Sequence, residues 1–137
     1  MEKGWKTTTI GAVADVVPGF AFKSKDWCDE GIPVIKIKNI VGDLTVNTVE
    51  ADCVPETLMN DRLKKFVLRD GDLIIAMTGA TAGKTGKLRG DRWMLLNQRV
   101  AKFVPKSMDP GFFWALISSK EYQERFFYLA DGAAQPN

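Results

Sequence analysis

The sequence predicts a single α+β domain with a mainly antiparallel, curved or mixed β-sheet and a few short helices. The length of 137 residues fits one domain of ordinary size. Short apolar runs bounded by glycine, proline and aspartate recur along the chain, which is typical of strands joined by tight turns. Apolar residues at helical spacing occur in 55–66 and in 110–129. No repeat or linker divides the sequence, so we expect one domain over 1–137.

The first part of the chain is predicted to hold a short helix, a loop and two strands. Neighbouring threonines can cap a helix over 10–17, which Pro18 then ends. Residues 23–31 predict a loop with one helical turn. Polar and apolar residues alternate over 32–38, which is typical of a half-buried strand. A second strand is predicted at 44–49.

The second part is predicted to begin with a helix and to end with two. Pro55 fits the first turn of a helix over 55–66, whose apolar residues share one face. Strands are predicted at 73–77, 94–96 and 99–104. The aromatic residues in 110–129 follow helical spacing and are interpreted as core, with a break near Ser118 that separates two helices.

The charges are distributed unevenly, although the formal net charge is only +2. Residues 26–61 contain eight acidic side chains against two lysines, whereas 84–106 contain seven basic side chains against Asp91 alone. Such asymmetry fits a protein with one face turned toward an anion. The alternative is a solvated surface on which the charges fell unevenly.

The composition excludes most catalytic and metal chemistry. The chain has no histidine, so neither a histidine-based triad nor an imidazole-ligated metal is possible. Cys28 and Cys53 could pair on count alone, but in a chain without a secretion signal they are predicted to be free thiols. Two cysteines 25 positions apart do not make a zinc site. We expect no cofactor. No apolar run approaches the roughly 18 residues that span a bilayer, and the first residues do not resemble a secretion signal, so we expect a cytoplasmic protein without membrane contact.

The segment 78–85, TGATAGKT, is similar to a nucleotide phosphate-binding loop but departs from it in two ways. Three residues separate Gly79 from Gly83, whereas the nucleotide loop requires four. Gly86 and Gly90 follow where a helix should begin, which favours a hairpin or extended loop. What remains is a loop whose backbone, threonines and lysine can contact a phosphate.

Four stretches, in this order, resemble the target recognition domains of type I restriction-modification specificity subunits. They are GIPVIKIKNI (31–40), LRDGDLIIAMTGATAGK (68–84), LNQRVA (96–101) and GAAQPN (132–137). The likeness covers nearly the whole chain and implies the target-recognition-domain type of fold. It also implies a non-catalytic protein that reads one half of a bipartite double-stranded DNA target and recruits methyltransferase subunits, with restriction subunits in the larger assembly.

The sequence departs from the family pattern because it holds one recognition domain, without the spacer helix and the second domain. It is therefore expected to be either a fragment or a half-subunit that pairs. A homodimer and a monomer both remain open.

Two groups of residues are predicted to contact DNA. The cations expected to position the protein on phosphates are Lys23, Lys25, Lys84, Lys87, Arg89, Arg92 and Lys102. The side chains expected to reach bases are Asn97, Gln98 and Arg99, with Lys38, Asn39 and Thr81 as secondary candidates. For Asn97 and Gln98, a structural role that holds the loop remains equally open. Two other functions also remain open: a half-subunit or decoy that binds methyltransferase subunits without DNA, and a nucleotide-binding module.

Overall fold

The computed structural model describes residues 14–41, 44–78, 82–106 and 108–124. These residues form ten short strands, four 3-10 turns and one α-helix with defined bounds. The strands are β1 (Ala14–Pro18), β2 (Ile32–Ile35), β3 (Ile40–Val41), β4 (Thr45–Val46), β5 (Asp52–Val54), β6 (Val67–Leu68), β7 (Leu73–Ala76), β8 (Thr85–Lys87), β9 (Met94–Leu96) and β10 (Val100–Pro105). The 3-10 turns are Ser24–Asp26, Ile37–Asn39, Glu56–Leu58 and Asp61–Phe66, and the helix α1 is Pro110–Ile117.

The strands form two open sheets. The large sheet has the order β1-β10-β7-β8-β4-β3, and the small sheet has the order β5-β2-β9-β6. Neighbouring strands are antiparallel except in two pairs, β2 with β9 and β4 with β8. The predicted α+β class with a mainly antiparallel, mixed sheet is therefore confirmed.

The large sheet is the middle layer of three. Ile74 of β7 packs into a core shared with the small sheet, whereas Leu73 and Ile75 pack into a second core under α1. This division follows from the alternation of side chains along a strand. The rings of Phe103 and Phe113 lie 5.3 Å apart in the second core, which fastens α1 to β10.

The prediction of a half-buried strand over 32–38 is wrong in two respects. All four residues of β2 are buried, because the large sheet and the segment around Phe20 pack against this strand. The strand also ends at Ile35, since Asn39 folds the chain into a 3-10 turn. The Asn39 side-chain oxygen accepts a hydrogen bond of 2.8 Å from the Lys36 backbone amide.

The prediction of one helix over 55–66 is also wrong. The segment forms two 3-10 turns with extended residues between them. Asn60 separates the turns because its backbone is extended and its side chain accepts bonds from the amides of Arg62 and Leu63. Asparagine competes in this way with regular helix hydrogen bonding. Leu63 and Phe66 are nevertheless buried, as the apolar pattern indicated.

Of the other predicted elements, one is wrong, one is shortened and three are confirmed. The prediction of a helix over 10–17 is wrong in the described part, where β1 pairs with β10 as a strand. The adjacent valines of β1 suit an edge strand. Residues 10–13 lie outside the described residues. The strand expected at 44–49 is shortened to β4. The strands expected at 73–77, 94–96 and 99–104 are confirmed as β7, β9 and β10.

The predicted break near Ser118 is also confirmed. Helix α1 ends at Ile117, and helical structure resumes at 120 and extends through 124, the last residue before 125–137, which lie outside the described residues.

Candidate nucleic-acid interface

Several loops meet at one edge of the two sheets, which we call the loop edge. In the large sheet, Pro18 pairs with Ala101 and Ala76 pairs with Val100, so β1 and β7 end where β10 begins. In the small sheet, β2 and β9 end at the same edge because Ile35 lies beside Leu96. Among the described residues, the loop edge therefore comprises 19–22, 36–39, 77–78, 82–84 and 97–99.

The turn that follows β9 joins the neighbouring loops. Its closing bond runs from the Val100 amide to the Asn97 carbonyl, 3.3 Å. The Gln98 amide donates to the carbonyl of Phe20 at 2.9 Å, and the Met77 amide donates to the carbonyl of Arg99 at 2.8 Å. These backbone bonds place residues 97–99 between the segment after β1 and the hairpin between β7 and β8.

Gly19 allows the segment after β1 to lie directly against this turn. A Cβ atom at Gly19 would lie 2.0 Å from the Asn97 carbonyl oxygen. That separation is far below van der Waals contact, so any larger residue must displace one of the two loops. The Gly19 amide also donates to the Val100 carbonyl at 2.9 Å. A close backbone approach therefore requires glycine here.

Arg99 combines an unusual backbone with an exposed side chain. Its φ is 72°, in the left-handed region that a residue with a long side chain rarely occupies. Such conformations persist where the surrounding structure enforces them, and they cluster at functional sites. Gln98 beside it is exposed as well, and Asn97 is half-buried. No salt bridge among the described residues involves Arg99.

The hairpin between β7 and β8 brings Lys84 to the loop edge. The Gly83 amide donates to the Ala76 carbonyl, and the Ala76 amide donates to the Lys84 carbonyl, both at 2.8 Å. Strand β8 follows the loop, which confirms the predicted hairpin. The loop therefore does not lead into a helix whose N-terminus could hold a nucleotide phosphate. Thr81 lies outside the described residues.

Asn39 has a structural role at the loop edge. It is buried, with 3% of its surface exposed. Besides its bond to Lys36, its side-chain amide donates to the Asn47 carbonyl at 3.0 Å, and its own carbonyl accepts from the Asn47 amide at 2.7 Å. Asn39 therefore ties the turn after β2 to the residue that follows β4.

Lys38 is exposed but shares a carboxylate with Lys36. The ammonium groups of Lys38 and Lys36 lie 3.0 Å and 2.9 Å from the same Asp52 oxygen. Hydrogen bonds from Lys36 first, and then from Lys38, lower the pKa of the Asp52 carboxyl below its ordinary value. Lys36 also lies 3.7 Å from the centre of the Trp27 ring. The Asp52 carboxylate thus offsets part of the positive charge of Lys36 and Lys38.

Three predicted cations lie at the opposite edge, which we call the far edge: Lys87, Arg89 and Arg92. Lys87 pairs with Leu73 at the start of β7, and the three residue steps of that strand span about 10 Å. The Lys87 ammonium lies 5.7 Å from the centre of the Trp114 ring, and the Arg92 guanidinium donates to the Gly31 carbonyl. The seven basic residues of 84–106 are therefore not one surface.

Lys102 lies between the two edges. Its half-buried ammonium donates to the carbonyl of Val67 at 2.9 Å, which links β10 of the large sheet to β6 of the small sheet. Lys25 lies in the Ser24–Asp26 turn and Lys23 directly precedes it, and both side chains are exposed. In sequence, this segment comes directly after residues 19–22 of the loop edge.

The sequence analysis did not identify a cavity of about 270 Å³ beside the loop edge. Its lining includes Phe20, Phe22, Lys23, Lys25 and Arg62, and the Arg62 guanidinium lies 5.8 Å from the centre of the Phe20 ring. Arg62 and Phe20 are distant in sequence and meet because the Phe20 ring packs 5.5 Å from that of Phe66. No local pattern could have predicted this contact.

Other kinds of site find no support in the described part of the chain. Residues 14–41, 44–78, 82–106 and 108–124 contain no group of three or more histidine, cysteine, aspartate or glutamate side chains placed to hold a metal ion. Over the same residues, no helix has the length and apolar character needed to cross a membrane.

Comparison with known proteins points to one family. No protein-family model matches the sequence. The MjaVIII specificity subunit of Methanocaldococcus jannaschii, a type I restriction enzyme subunit, is 30% identical over 99% of this chain, and the match covers 33% of that subunit. The EcoAI specificity subunit of Escherichia coli is 28% identical over 75% of this chain and 18% of its own length. The EcoBI specificity subunit of the same organism is 26% identical over 95% and 23%.

Solved structures show the same fold. A chain from a type I restriction-modification complex superposes with a TM-score of 0.64 and 23% identity, over 90% of this chain and 29% of that one. The HsdS subunit from Thermoanaerobacter tengcongensis superposes with a TM-score of 0.61 and 19% identity, over 96% and 38%. The chain thus spans only part of the length of these relatives, from 18% to 38%. It is similar to type I restriction-enzyme specificity subunits over nearly its whole length and has the fold of one part of such a subunit.

Proposed function

We propose that this chain is a non-catalytic target recognition domain whose loop edge binds double-stranded DNA and reads one half of a bipartite target. The observation that carries this proposal is the turn after β9. It presents Gln98 and Arg99 to solvent, and backbone bonds to both neighbouring loops hold it in place. A planar guanidinium or amide held in this way suits bidentate recognition of base edges in the major groove.

The cations around this turn would contact phosphates. Lys84 lies in the hairpin on one side, and Lys23, Lys25 and Arg62 line the cavity on the other. Phosphate contacts position a protein on the duplex, whereas base contacts select the sequence. We assign the far-edge cations only a long-range attraction, because Lys87 and Arg92 already contact Trp114 and Gly31.

The partners proposed for the domain are those of the type I specificity subunits that it resembles. We propose that it directs methyltransferase subunits, and restriction subunits in the larger assembly, to the DNA that it reads. A second recognition half is required for a bipartite target, and it would come from another domain or from a second copy of this chain.

The test is fluorescence anisotropy with a labelled random-sequence duplex, titrated at a series of salt concentrations. We expect binding that weakens steeply with salt, because each phosphate contact releases counterions. A charge-reversed pair at the loop edge, Lys84→Glu with Arg99→Glu, should weaken binding by more than about 100-fold, since each removes an attraction and adds a repulsion.

The matched control is a charge-reversed pair at the far edge, Lys87→Glu with Arg89→Glu, which changes the net charge equally. We expect it to weaken binding much less. Equal weakening by the two pairs would show that net charge, not the loop edge, attracts DNA. Unchanged binding by the loop-edge pair would reject the loop edge as the DNA-binding surface. If the unaltered chain binds no DNA but retains a methyltransferase subunit, the interaction or decoy function is correct instead.

A further inference from the structure

The two cysteines lie opposite each other although 25 positions separate them in sequence. Cys53 is the middle residue of β5, which is an edge strand of the small sheet. Cys28 lies just after the Ser24–Asp26 turn and forms an isolated antiparallel bridge with Cys53. Its backbone amide donates to the Cys53 carbonyl at 2.9 Å. Both residues are free thiols in the structure.

This pairing satisfies most of the geometry that a disulfide requires. Directly opposed residues in a hydrogen-bonded antiparallel pair have Cα atoms about 5.5 Å apart and side chains on the same face. A disulfide forms with Cα atoms roughly 4.4 to 6.8 Å apart and Cβ atoms roughly 3.5 to 4.5 Å apart. The Cα spacing therefore fits, and the Cβ atoms need to approach each other by about 1 Å at most.

The Cys28 side can supply that movement. Only one bridge joins Cys28 to β5, and bends follow it at residues 29–31, so Cys28 is not held in an extended ladder. Its sulfur donates to the nearby Glu30 carbonyl at 2.9 Å, and the Cys53 sulfur is 3.8 Å from the Ala51 carbonyl. Both cysteines are half-buried, so a small oxidant can reach them.

We propose that Cys28 and Cys53 form a reversible intramolecular disulfide by exchange with a low-molecular-weight disulfide. In the first step the Cys28 thiolate attacks the oxidant, forms a mixed disulfide and releases one small thiolate. In the second step the Cys53 thiolate attacks the Cys28 sulfur, forms the protein disulfide and releases the other small thiolate. Two protein thiols are oxidised, one small disulfide is reduced, and the two thiol protons pass to the released thiolates.

The order of attack follows from the surroundings of the two sulfurs. Burial, and then the nearby Cys28, raise the pKa of the Cys53 thiol, so less of it is thiolate at neutral pH. Cys53 is therefore the resolving thiol. The bond would fasten the segment carrying Lys23 and Lys25 to the edge of the small sheet.

The experiment equilibrates the whole chain with mixtures of reduced and oxidised glutathione, alkylates the remaining thiols and measures intact mass. We expect the intramolecular disulfide, recognised by the loss of two hydrogen atoms. It should persist at a ratio of the squared reduced to the oxidised glutathione concentration about 10-fold higher than for the same chain in guanidinium, because the fold places the two cysteines opposite each other. Equal ratios for folded and denatured chains, or mixed disulfides alone, would overturn the proposal.

The variants Cys28→Ser and Cys53→Ser serve as controls and should stop at the mixed disulfide. The oxidised protein should unfold at a higher temperature than the reduced protein, by roughly 5 to 10 °C, because the bond restricts the unfolded chain. An unchanged or lower midpoint would also contradict the proposal. None of these measurements includes DNA, so their failure and the failure of DNA binding are distinguishable.

Discussion

The loop edge and the far edge both carry cations from the same basic stretch of sequence, yet they hold those cations differently. At the loop edge, Gln98 and Arg99 are exposed on a turn that neighbouring loops fix through backbone hydrogen bonds. At the far edge, Lys87 lies over Trp114 and Arg92 donates to a carbonyl of the main chain. A cluster of charge in sequence therefore does not form one surface, because the fold leaves some of its side chains available on a fixed backbone and engages others in contacts of their own.

The largest effect is expected from Gly19→Ala, which disrupts the close backbone packing at the loop edge. The added methyl group would lie 2.0 Å from the Asn97 carbonyl oxygen, so either the turn or β1 must move. We expect a loss of stability of about 3 kcal/mol or more and the loss of measurable DNA binding. Urea unfolding and anisotropy measure the two effects.

Gly111→Ala is the control, since Gly111 lies in the first turn of helix α1, away from the loop edge. Its added methyl would meet only the Asp109 side chain at 3.1 Å. If Gly19→Ala is as harmless as this control, the close approach at the loop edge is not required.

The next effect is expected from Asn39→Ala, which removes the buried amide that ties the turn after β2 to residue 47. Two backbone groups lose their partners, so we expect the free energy of unfolding to fall by about 2 to 3 kcal/mol. Asn47→Ala is the matched control, because the Asn47 side chain is exposed and accepts from the amide of Val49, two residues along the chain. A similar loss in both variants would show that Asn39 has no special role.

Arg99→Gly tests base recognition without straining the turn. Glycine accepts the left-handed backbone at this position, so the variant removes the guanidinium and leaves the fold intact. We expect affinity for a selected target to fall by about 5- to 100-fold, with relaxed selectivity at one base pair. Selection from a random pool measures the change.

The corresponding far-edge variant is Arg89→Gly, which removes an exposed guanidinium beside Gly90. We expect its selected sequences to match those of the unaltered chain. If Arg89→Gly relaxes selectivity and Arg99→Gly does not, the far edge, and not the loop edge, reads the bases.

Lys84→Gln and Lys87→Gln compare the two ends of strand β8. If Lys84 contacts a phosphate, its loss should make the slope of log affinity against log salt shallower by about 0.9. Lys87→Gln should leave the slope nearly unchanged, because that ammonium lies against Trp114. Equal changes in the two slopes would mean that DNA extends over both edges.

The smallest effect is expected from Asp52→Asn, which concerns the pair Lys36 and Lys38. The folded state lowers the pKa of Asp52, so its carboxylate stabilises the protein above the ordinary pKa of 3.8. This contribution is lost as the pH falls through the lower folded pKa. Because 41% of the side chain is exposed, we expect the variant to lose less than about 1 kcal/mol at pH 7. The difference should vanish in acid, and a difference that grows in acid would contradict the assigned sign.

Local sequence patterns predicted those parts of the fold whose structure depends on neighbours in the chain. The apolar run that became β7 is bounded by turn residues, and the break between the last helices follows from Ser118 and Ser119. The hairpin after β7 was predictable because glycines stand where a nucleotide-binding helix would begin. The turn carrying Gln98 and Arg99 was likewise identified as a candidate site from its side-chain types.

Tertiary structure decided what depends on contacts between distant segments. Alternation over 32–38 predicted one exposed face, but β2 is buried on both faces because the large sheet and the segment around Phe20 cover it. Arg62 reaches the loop edge only through the packing of Phe66 against Phe20. Lys84 and Lys87 are three positions apart, yet they lie at opposite ends of β8 because an extended strand carries the chain about 10 Å in that distance. Composition and local pattern therefore determined the class of the fold and the position of its candidate recognition turn, whereas the pairing of strands, a long-range property, decided which charges share a surface.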